Sequence, residues 1–215
     1  IKYLSIMDSH PDWMVERFID LFGEEFTESL LDANNKVPEM TVRVNTLKIP
    51  RDELIKQLKD EGVSAKKGEF CEDALILQNP SSITRLKSFK TGLFQVQDES
   101  SMLAVKLLDP LSGEFILDVC SAPGGKSTYA AQLMQNKGRV LARDIYQHKL
   151  DLIDESAERL GLEIIDTEIF DAVEPDPLLV GKADRVIIDA PCSGLGIIRR
   201  KPDIKWKKER EHYKT

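Results

Sequence analysis

The 215-residue sequence contains only three cysteines, and their arrangement is not that of a metal site or a disulfide framework. Cys71, Cys120 and Cys192 are odd in number and widely spaced, without a CxxC pair or a histidine cluster nearby. Zinc sites and small secreted domains show closely spaced or paired cysteines instead. We therefore expect three free thiols in a reducing compartment and no bound metal.

Long hydrophobic runs are also missing. No stretch approaches the roughly 18 consecutive apolar residues of a membrane helix. The first residues, IKYLSIMDSHPDW, lack the basic and apolar regions of a signal peptide. With 41% hydrophobic and 31% charged residues, the chain can bury a substantial core. We expect a folded, cytoplasmic protein that does not bind membranes.

The chain as a whole has no excess of positive charge. Its net charge of −7 disfavours nonspecific coating of nucleic acid, which needs a dense basic surface. The segment from Ile198 to Lys214, IRRKPDIKWKKEREHYK, is the exception, because eight Lys and Arg residues stand against three acidic ones. This basic segment is either a local contact for nucleic acid or a solvated charged helix.

The first half of the chain has the pattern of helices followed by a small mixed domain. From Pro11 to Asp32, apolar residues fall on two stripes separated by Gly23, which predicts two short amphipathic helices. Strand and helix patterns then alternate, which predicts a small α+β domain. Its predicted elements are strands at 40–45, 74–77 and 94–97 and a helix at 51–61.

After Pro110, strands alternate regularly with helices. The strand patterns are GEFILDVC, GRVLARD, LEIIDTE and ADRVIID. Such alternation predicts right-handed βαβ crossovers and a parallel sheet, hence a doubly wound, Rossmann-like α/β fold. Since such folds usually have about six strands, we expect the sheet to be incomplete at the C-terminus. The expected parts are a helical segment at 1–36, the small domain at 37–105 and the first half of a catalytic domain at 106–215.

A glycine-rich turn follows the first of these strands. The run from Asp118 to Ser127, DVCSAPGGKS, leads from strand to helix, and Gly124 and Gly125 let backbone N–H groups approach a ligand. A P-loop would need a glycine where Cys120 stands, and the GxGxxG fingerprint of dinucleotide sites is absent. The turn therefore indicates a cofactor loop that is neither NTPase-like nor NAD-binding, with an ordinary tight turn as the alternative.

Acidic residues end the second and third strands. In an open parallel sheet, ligands bind beyond the carboxyl ends of the strands. Asp144 either accepts hydrogen bonds from ribose hydroxyls or caps the helix that follows it. Asp171 either faces an adenine edge or caps a turn.

The fourth strand runs into APCSGLG, which places Asp189 and Cys192 at the rim where cofactor and substrate would meet. Gly194 and Gly196 keep the backbone open there, which favours a functional thiol over a packed one. Methylation of cytosine at carbon 5 needs a thiolate at carbon 6 and an acid near N3. Methylation of an exocyclic amine typically uses an aromatic side chain that stacks on the base. A carboxyl near a cysteine therefore favours methyl transfer to carbon.

These residues resemble the Sun/Fmu family of bacterial ribosomal RNA cytosine-5 methyltransferases, most closely its RsmB type. The shared motifs span nearly all of the sequence, and CSAPGGKS in place of the commoner CAAPGGKT is a mild departure. In chain order they are SHPDW (9–13), RVN (43–45), VQDESS (96–101), DVCSAPGGKS (118–127), ARDI (142–145), DAPCSGLG (189–196) and IRRKPDIKW (198–206).

The resemblance implies S-adenosyl-L-methionine as the cofactor and assigns residues to its parts. Asp144 would bind the ribose, Asp171 would lie near the adenine, and Asp189 would lie between cofactor and cytosine. The methionine part would be wrapped by the loop formed by Cys120, Ser121, Ala122, Pro123, Gly124, Gly125 and Lys126.

The resemblance also implies a different role for Cys192. In this family the attacking cysteine comes from a later TC motif, whereas the PC cysteine, here Cys192, helps to release the methylated product. No TC pair occurs in the 215 residues. We therefore expect the nucleophile, the remaining strands and the usual N-terminal helical RNA-binding domain to lie outside this sequence, and the fragment to bind cofactor poorly or not to turn over.

The implied substrate is a cytosine of small-subunit (16S) ribosomal RNA, of the cytosine 967 type. The small α+β domain and the basic segment are the expected RNA contacts, with Trp206 available for stacking and with phosphates bound by Arg199, Arg200, Lys201 and Lys205. Two alternatives stay open. One is a methyltransferase acting on a substrate other than RNA, and the other is a noncatalytic RNA-binding ribosome-assembly factor with a methyltransferase fold.

Overall fold

The computed structural model describes residues 1–78, 80, 82–207 and 209, and these form two compact units. One unit joins Ile1–Pro38 to the described residues from Pro191 onward, and the other is Glu39–Ala190. The division at residues 36 and 105 drawn from the sequence remains a prediction. Of the basic segment, Lys208, Arg210 and Lys214 lie outside the described residues.

The first unit is helical. Its N-terminal part forms the helices α1 (Lys2–Met7), α2 (Asp12–Phe22) and α3 (Glu24–Asn35). The two helices predicted on either side of Gly23 are confirmed, and α1 is an addition that the sequence pattern did not reveal. Gly23 has a φ of +82°, a conformation that glycine adopts without the strain of a side chain, so the chain can turn between α2 and α3.

The core of this unit forms where the apolar stripes of the helices meet. Helix α2 buries Met14 and Val15, and α3 buries Leu31. Ile198, from the segment after Pro191, is fully buried against the same cluster. The beginning of the basic segment is thereby part of the hydrophobic core of this unit.

The second unit begins with a small antiparallel sheet. Its strands are β1 (Met40–Val44), β2 (Ser64–Lys67), β3 (Ala74–Gln78) and β4 (Phe94–Val96), and its helices are α4 (Arg51–Asp60) and α5 (Lys87–Lys90). The strand order is β2-β3-β1-β4. Three strands and α4 confirm the sequence prediction. Strand β2, SAKK, escaped it because an edge strand with two lysines carries no apolar alternation.

A parallel sheet follows in the same unit. Its strands are β5 (Phe115–Asp118), β6 (Arg139–Asp144), β7 (Ile165–Ile169) and β8 (Arg185–Ile187), and its helices are α6 (Glu99–Leu108), α7 (Gly125–Leu133) and α8 (Gln147–Leu160). The order among the described strands is β7-β6-β5-β8. All neighbouring strands are parallel, which confirms the predicted parallel sheet. The chain proceeds from β5 to β7 in one direction and then crosses back to place β8 on the other side of β5. Ligands bind at such a switch point, here at the carboxyl ends of β5 and β8.

Helix α7 is buried nearly all round, because it packs between the two sheets. Tyr129, Ala130 and Ala131 belong to the main core cluster with residues of β5 and β6. On its other side, Gln132 donates its amide N–H to the Val44 carbonyl oxygen of β1 at 3.0 Å. The small sheet thus fixes the position of the helix that follows the glycine-rich loop.

The longest of these helices, α8, has 14 residues. Across the described part of the chain, no helix is both long enough and apolar enough to cross a membrane.

Candidate cofactor and catalytic site

A cavity of about 210 Å³ lies at the switch point of the parallel sheet. It is bounded on one side by the glycine-rich loop and the first turn of α7, and on the other by the segment between β4 and α6. The lining residues are Val96, Gln97, Asp98, Ser101, Asp118, Cys120, Ser121, Ala122, Pro123, Gly125, Lys126 and Asp189.

The glycine-rich loop is held in place by its own backbone and by β6. Ser121 donates two hydrogen bonds to the Arg143 carbonyl oxygen, from its amide N at 2.9 Å and from its Oγ at 2.8 Å. Gly124 has a φ of +90°, and a Cβ at this position would lie 3.1 Å from Ile153. A side chain at Gly124 would therefore be strained by both conformation and contact. Helix α7 begins directly afterwards at Gly125, and Gly125 and Lys126 of its first turn line the cavity. The first N–H groups of a helix have no partner within the helix itself.

Lys126 and Asp189 form an ion pair beside the cavity. Lys126 comes from the first turn of α7 and Asp189 follows β8, so the pair joins the two elements at the switch point. The Lys126 side chain is 19% exposed and that of Asp189 is 60% exposed. The carboxyl therefore faces solvent at the mouth of the cavity, where it is accessible to a substrate.

Asp118, the last residue of β5, is buried at the floor of the site. Its Oδ2 accepts a hydrogen bond from Ser127 Oγ at 2.7 Å, while its Oδ1 has no partner among the described residues. Burial raises the pKa of Asp118 to about 6, and the hydrogen bond from Ser127 and the charge of Lys126 oppose this shift. A buried acceptor without a partner is available to a hydrogen-bond donor on a ligand.

The environment of Cys120 disfavours a thiolate. Burial is the main cause that raises the pKa of this thiol, and the negative charges of Asp118, Asp144 and Asp189 add to it. Cys120 therefore stays a neutral thiol near pH 7 and lines the cavity without acting as a nucleophile.

Asp144 and Asp171 lie at the carboxyl ends of their strands but do not line the 210 Å³ cavity. Asp144 is buried, accepts a hydrogen bond from the Tyr146 amide N at 3.3 Å and pairs with Lys149 Nζ at 3.2 Å. Asp171 is exposed and accepts from the Val173 amide N at 3.0 Å. Asp171 thus makes the turn bond that the sequence left as one alternative. Asp144 does not cap the helix that follows it, because the N-cap of α8 is Tyr146 and has no side-chain cap bond. The ribose and adenine contacts of the two residues stay predictions.

Cys192 and the basic segment belong to the other unit, and Cys192 is exposed. Arg199, Arg200 and Lys201 are exposed too, and Arg199 donates to the Val37 carbonyl oxygen at 2.8 Å. Throughout the described residues, no group of three or more His, Cys, Asp and Glu side chains could hold a metal ion.

Lys205 differs from the expectation of a surface cation. It is 4% exposed, its Nζ donates to Asn35 Oδ1 at 2.8 Å, and burial lowers its pKa. The short helix α9 (Ile204–Lys207) turns this residue inward, which a pattern of positive charge in the sequence could not reveal. Lys205 is a structural residue here, and we leave it out of the RNA contacts.

Sequence reasoning gave no role to Arg43, which is fully buried behind the site. Its guanidinium donates to Gln97 Oε1, to the Gly125 carbonyl oxygen at 2.8 Å and to Thr128 Oγ1 at 3.1 Å. It also lies over the ring of Tyr129, 4.7 Å from its centroid. The available signal was an arginine within a largely apolar strand, MTVRV.

Comparison with known proteins places this geometry in a family. Residues 105–215 match the family described as 16S rRNA methyltransferase RsmB/F, and residues 10–84 match the RsmF/B-like ferredoxin-like domain. The chain belongs to the RsmB/F family of 16S rRNA methyltransferases. Members of this family are S-adenosylmethionine-dependent methyltransferases.

Two curated relatives of this RsmB/F chain are bacterial. It is 44% identical over 210 residues to the probable ribosomal RNA small subunit methyltransferase B of Bacillus subtilis, covering 97% of this chain and 47% of that protein. It is 40% identical over 198 residues to ribosomal RNA small subunit methyltransferase B of Yersinia enterocolitica, covering 92% and 46%. The chain thus spans about half the length of these relatives.

Two solved structures from Pyrococcus horikoshii have the same fold. A methyltransferase homolog protein is 33% identical with a TM-score of 0.76, covering 94% of this chain and 67% of that one. NSun6, determined with SFG, is 24% identical with a TM-score of 0.82, covering 93% and 74%, and shows likeness of fold alone.

The cavity residues of this RsmB/F chain fit the methionine end of S-adenosylmethionine. The unpartnered Asp118 Oδ1 is a buried acceptor suited to an ammonium group. The first turn of α7 is suited to a carboxylate, since helix N-termini attract anions. Without a Cβ, Gly124 leaves the loop in the conformation that frames this space.

Asp118 should make the stability of the fold depend on pH. Its pKa in the folded protein, about 6, lies above the 3.8 of an unperturbed aspartate, so between these values the folded state binds the proton more tightly than the unfolded state does. The contribution of the protonated Asp118 to the unfolding free energy is fully present below pH 3.8 and is lost as the pH rises through 6. Compared with Asp118→Asn, the wild type should lose up to about 3 kcal/mol of unfolding free energy between pH 4 and pH 7.

Urea unfolding of both proteins across this pH range measures the difference. Asp60→Asn, an exposed carboxyl at the end of α4, is the control and should show a difference from the wild type that hardly varies with pH. If the difference in unfolding free energy between the wild type and Asp118→Asn also did not vary with pH, the raised pKa of Asp118 would be contradicted.

Proposed function

We propose that this chain carries the cofactor-binding half of an enzyme that transfers a methyl group from S-adenosylmethionine to carbon 5 of a cytosine in 16S ribosomal RNA, of the cytosine 967 type. The observation that carries the proposal is the Lys126–Asp189 ion pair at the mouth of the cavity. Among the described residues that line this cavity, none is aromatic. A carboxyl without a stacking ring favours carbon over an exocyclic amine as the methyl acceptor.

Asp189 would act on the pyrimidine ring. S-adenosylmethionine supplies, when bound, an electrophilic methyl group on its sulfonium sulfur. As a thiolate adds to carbon 6 of cytosine, negative charge builds up toward N3, and a carboxyl at that position stabilises it by sharing a proton. Lys126 holds the Asp189 carboxyl at the cavity mouth and so fixes where the base binds.

The thiols of the chain differ in their fitness for this chemistry. Cys71 is buried, and the raised pKa of Cys120 disfavours its thiolate, so neither is suited to attack carbon 6. We propose that Cys192, which is exposed and follows Asp189 by three residues, assists the release of the methylated product, as the PC cysteine of the family does.

The exposed cations Arg199, Arg200 and Lys201 are the proposed phosphate contacts, and Trp206, 62% exposed, is the proposed stacking surface. The base itself would have to be single-stranded or flipped out to reach the cavity.

Methyl transfer from labelled S-adenosylmethionine to unmodified small-subunit RNA, with the full-length protein, tests the proposal. Label should appear in 5-methylcytidine after digestion to nucleosides. Asp189→Asn should lower the rate at least about a hundredfold, because the shared proton is lost. Glu163→Gln, the equivalent carboxyl-to-amide change at an exposed residue just before β7, should leave the rate within twofold. Transfer that proceeds without RNA, or RNA binding without transfer, would refute the proposal in favour of another substrate or a binding factor.

Cys192→Ala in the full-length protein should trap a covalent protein–RNA adduct, because attack and methyl transfer proceed while release fails. The adduct is detected as a shifted band that resists denaturant and disappears on RNase digestion. Cys71→Ala is the matched thiol control and should give no adduct. Normal turnover by Cys192→Ala would remove this residue from the release step.

Lys201→Ala should weaken RNA binding several-fold and reduce the slope of log K against log salt by about one, as expected for one lost phosphate contact. Binding measured by fluorescence anisotropy at several salt concentrations gives both values. Lys182→Ala removes an equal charge from an exposed position of the other unit. Equal effects of the two variants would mean that only net charge matters.

A further inference from the structure

Gln97 carries a second unsatisfied group at the cavity. This residue follows β4, is 7% exposed, and its amide Nε2 has no hydrogen-bond partner. Three buried side-chain N or O atoms lack partners within the described residues: Gln97 Nε2, Asp118 Oδ1 and Ser88 Oγ. Two of these three belong to residues that line one cavity. An unmade buried hydrogen bond destabilises the fold, so a donor and an acceptor left unsatisfied together point to a ligand that satisfies both.

Arg43 determines which end of the Gln97 amide is unsatisfied. A guanidinium group only donates hydrogen bonds, so the amide oxygen must face Arg43 and the NH₂ must face away from it. Arg43 is itself fixed by the Gly125 carbonyl oxygen, Thr128 Oγ1 and Gln132 Oε1. The main-chain N of Gln97 donates to the Thr41 carbonyl oxygen at 3.2 Å. The free donor therefore has a fixed orientation before any ligand binds.

The free donor lies beside the N-terminus of α7. A Cβ placed on Gly125, the first residue of this nine-residue helix, would be 3.7 Å from Gln97 Nε2. The helix terminus favours a negative group at this point, whereas the Asp118 carboxyl favours a positive one. The remaining charged residues of the lining are Asp98 and the paired Lys126 and Asp189. The site therefore favours a ligand with a negative and a positive group side by side, and the carboxylate and ammonium groups of an α-amino acid are such a pair.

We propose that Gln97 determines ligand specificity by donating its amide N–H to the α-carboxylate of the cofactor's methionine group, with Arg43 as the positioning residue behind it. The inference rests on the function proposed above and adds a selecting residue from the VQDESS segment, outside the glycine-rich loop. It predicts that the site distinguishes adenosine ligands that carry the amino-acid end from those that lack it.

Calorimetric binding of two probes to the full-length protein tests this. S-adenosylhomocysteine carries the carboxylate, and 5′-deoxy-5′-methylthioadenosine lacks the whole amino-acid end. Gln97→Glu keeps an acceptor for Arg43 but turns a donor into a negative group. This variant should bind S-adenosylhomocysteine more than tenfold more weakly and methylthioadenosine less than twofold more weakly than the wild type does. Gln97→Met removes the donor without adding charge. It should lower the affinity for S-adenosylhomocysteine about tenfold and leave the affinity for methylthioadenosine unchanged.

Gln95→Glu is the matched control, because Gln95 also accepts from an arginine, Arg159, but does not line this cavity. It should leave both affinities unchanged. Thermal unfolding of Gln97→Glu should show a fold at least as stable as the wild type, since the new carboxylate faces a buried guanidinium. If the role of Gln97 were only structural, the folded Gln97→Glu variant would bind S-adenosylhomocysteine normally.

The outcomes separate the two proposals. If both Gln97 variants lose affinity for S-adenosylhomocysteine but keep it for methylthioadenosine, the inference is supported. Equal weakening of both ligands, or of neither, overturns the role of Gln97 while the proposed function stands. Binding of neither ligand by the wild type overturns the proposed function and the inference with it.

Discussion

The buried guanidinium of Arg43 is the interaction on which the site depends. It leaves water entirely, and burial lowers its pKa to about 9, still well above neutrality, so the charge remains. Removing a charge from water costs several kcal/mol unless hydrogen bonds replace the hydration. Here the replacement comes from Gln97 at the cavity wall and from Gly125, Thr128 and Gln132 of α7, all of which accept. The small sheet and the parallel sheet are thereby joined at the point where the cofactor loop becomes a helix.

This joint holds the walls of the cavity in place. The loop is fixed to β6 through Ser121, Gly124 takes the one backbone conformation that the turn needs, and α7 cannot shift because Gln132 bonds to β1. A rigid site can hold unsatisfied groups such as Asp118 Oδ1 in place, since their cost is offset by the packing around them. Binding then needs little rearrangement, which favours affinity.

The sequence predicted the parts of this architecture that depend on local periodicity. Strand and helix alternation, the glycine-rich turn and the acids at strand ends follow from spacing of two or 3.6 residues and from the special conformations of glycine. Strand β2, the burial of Lys205 and the role of Arg43 depend on partners far away in the chain. Arg43 and Gln132 are 89 residues apart, and no local pattern identifies such a pair. Residues that look like surface charges can therefore be structural ones.

The three cysteines show how environment divides one chemical group among different roles. Cys71 is buried and lies near the hydroxyl of Tyr129, whose ring also stacks under Arg43, so it is part of the core. Cys120 lines the cavity, where burial first and the nearby carboxylates second raise the pKa of its thiol, so it is a poor nucleophile. Cys192 is exposed on a segment with glycines, where its thiol is accessible. Burial and three nearby carboxylates thus keep the Cys120 thiol neutral, whereas the Cys192 thiol lies open to solvent.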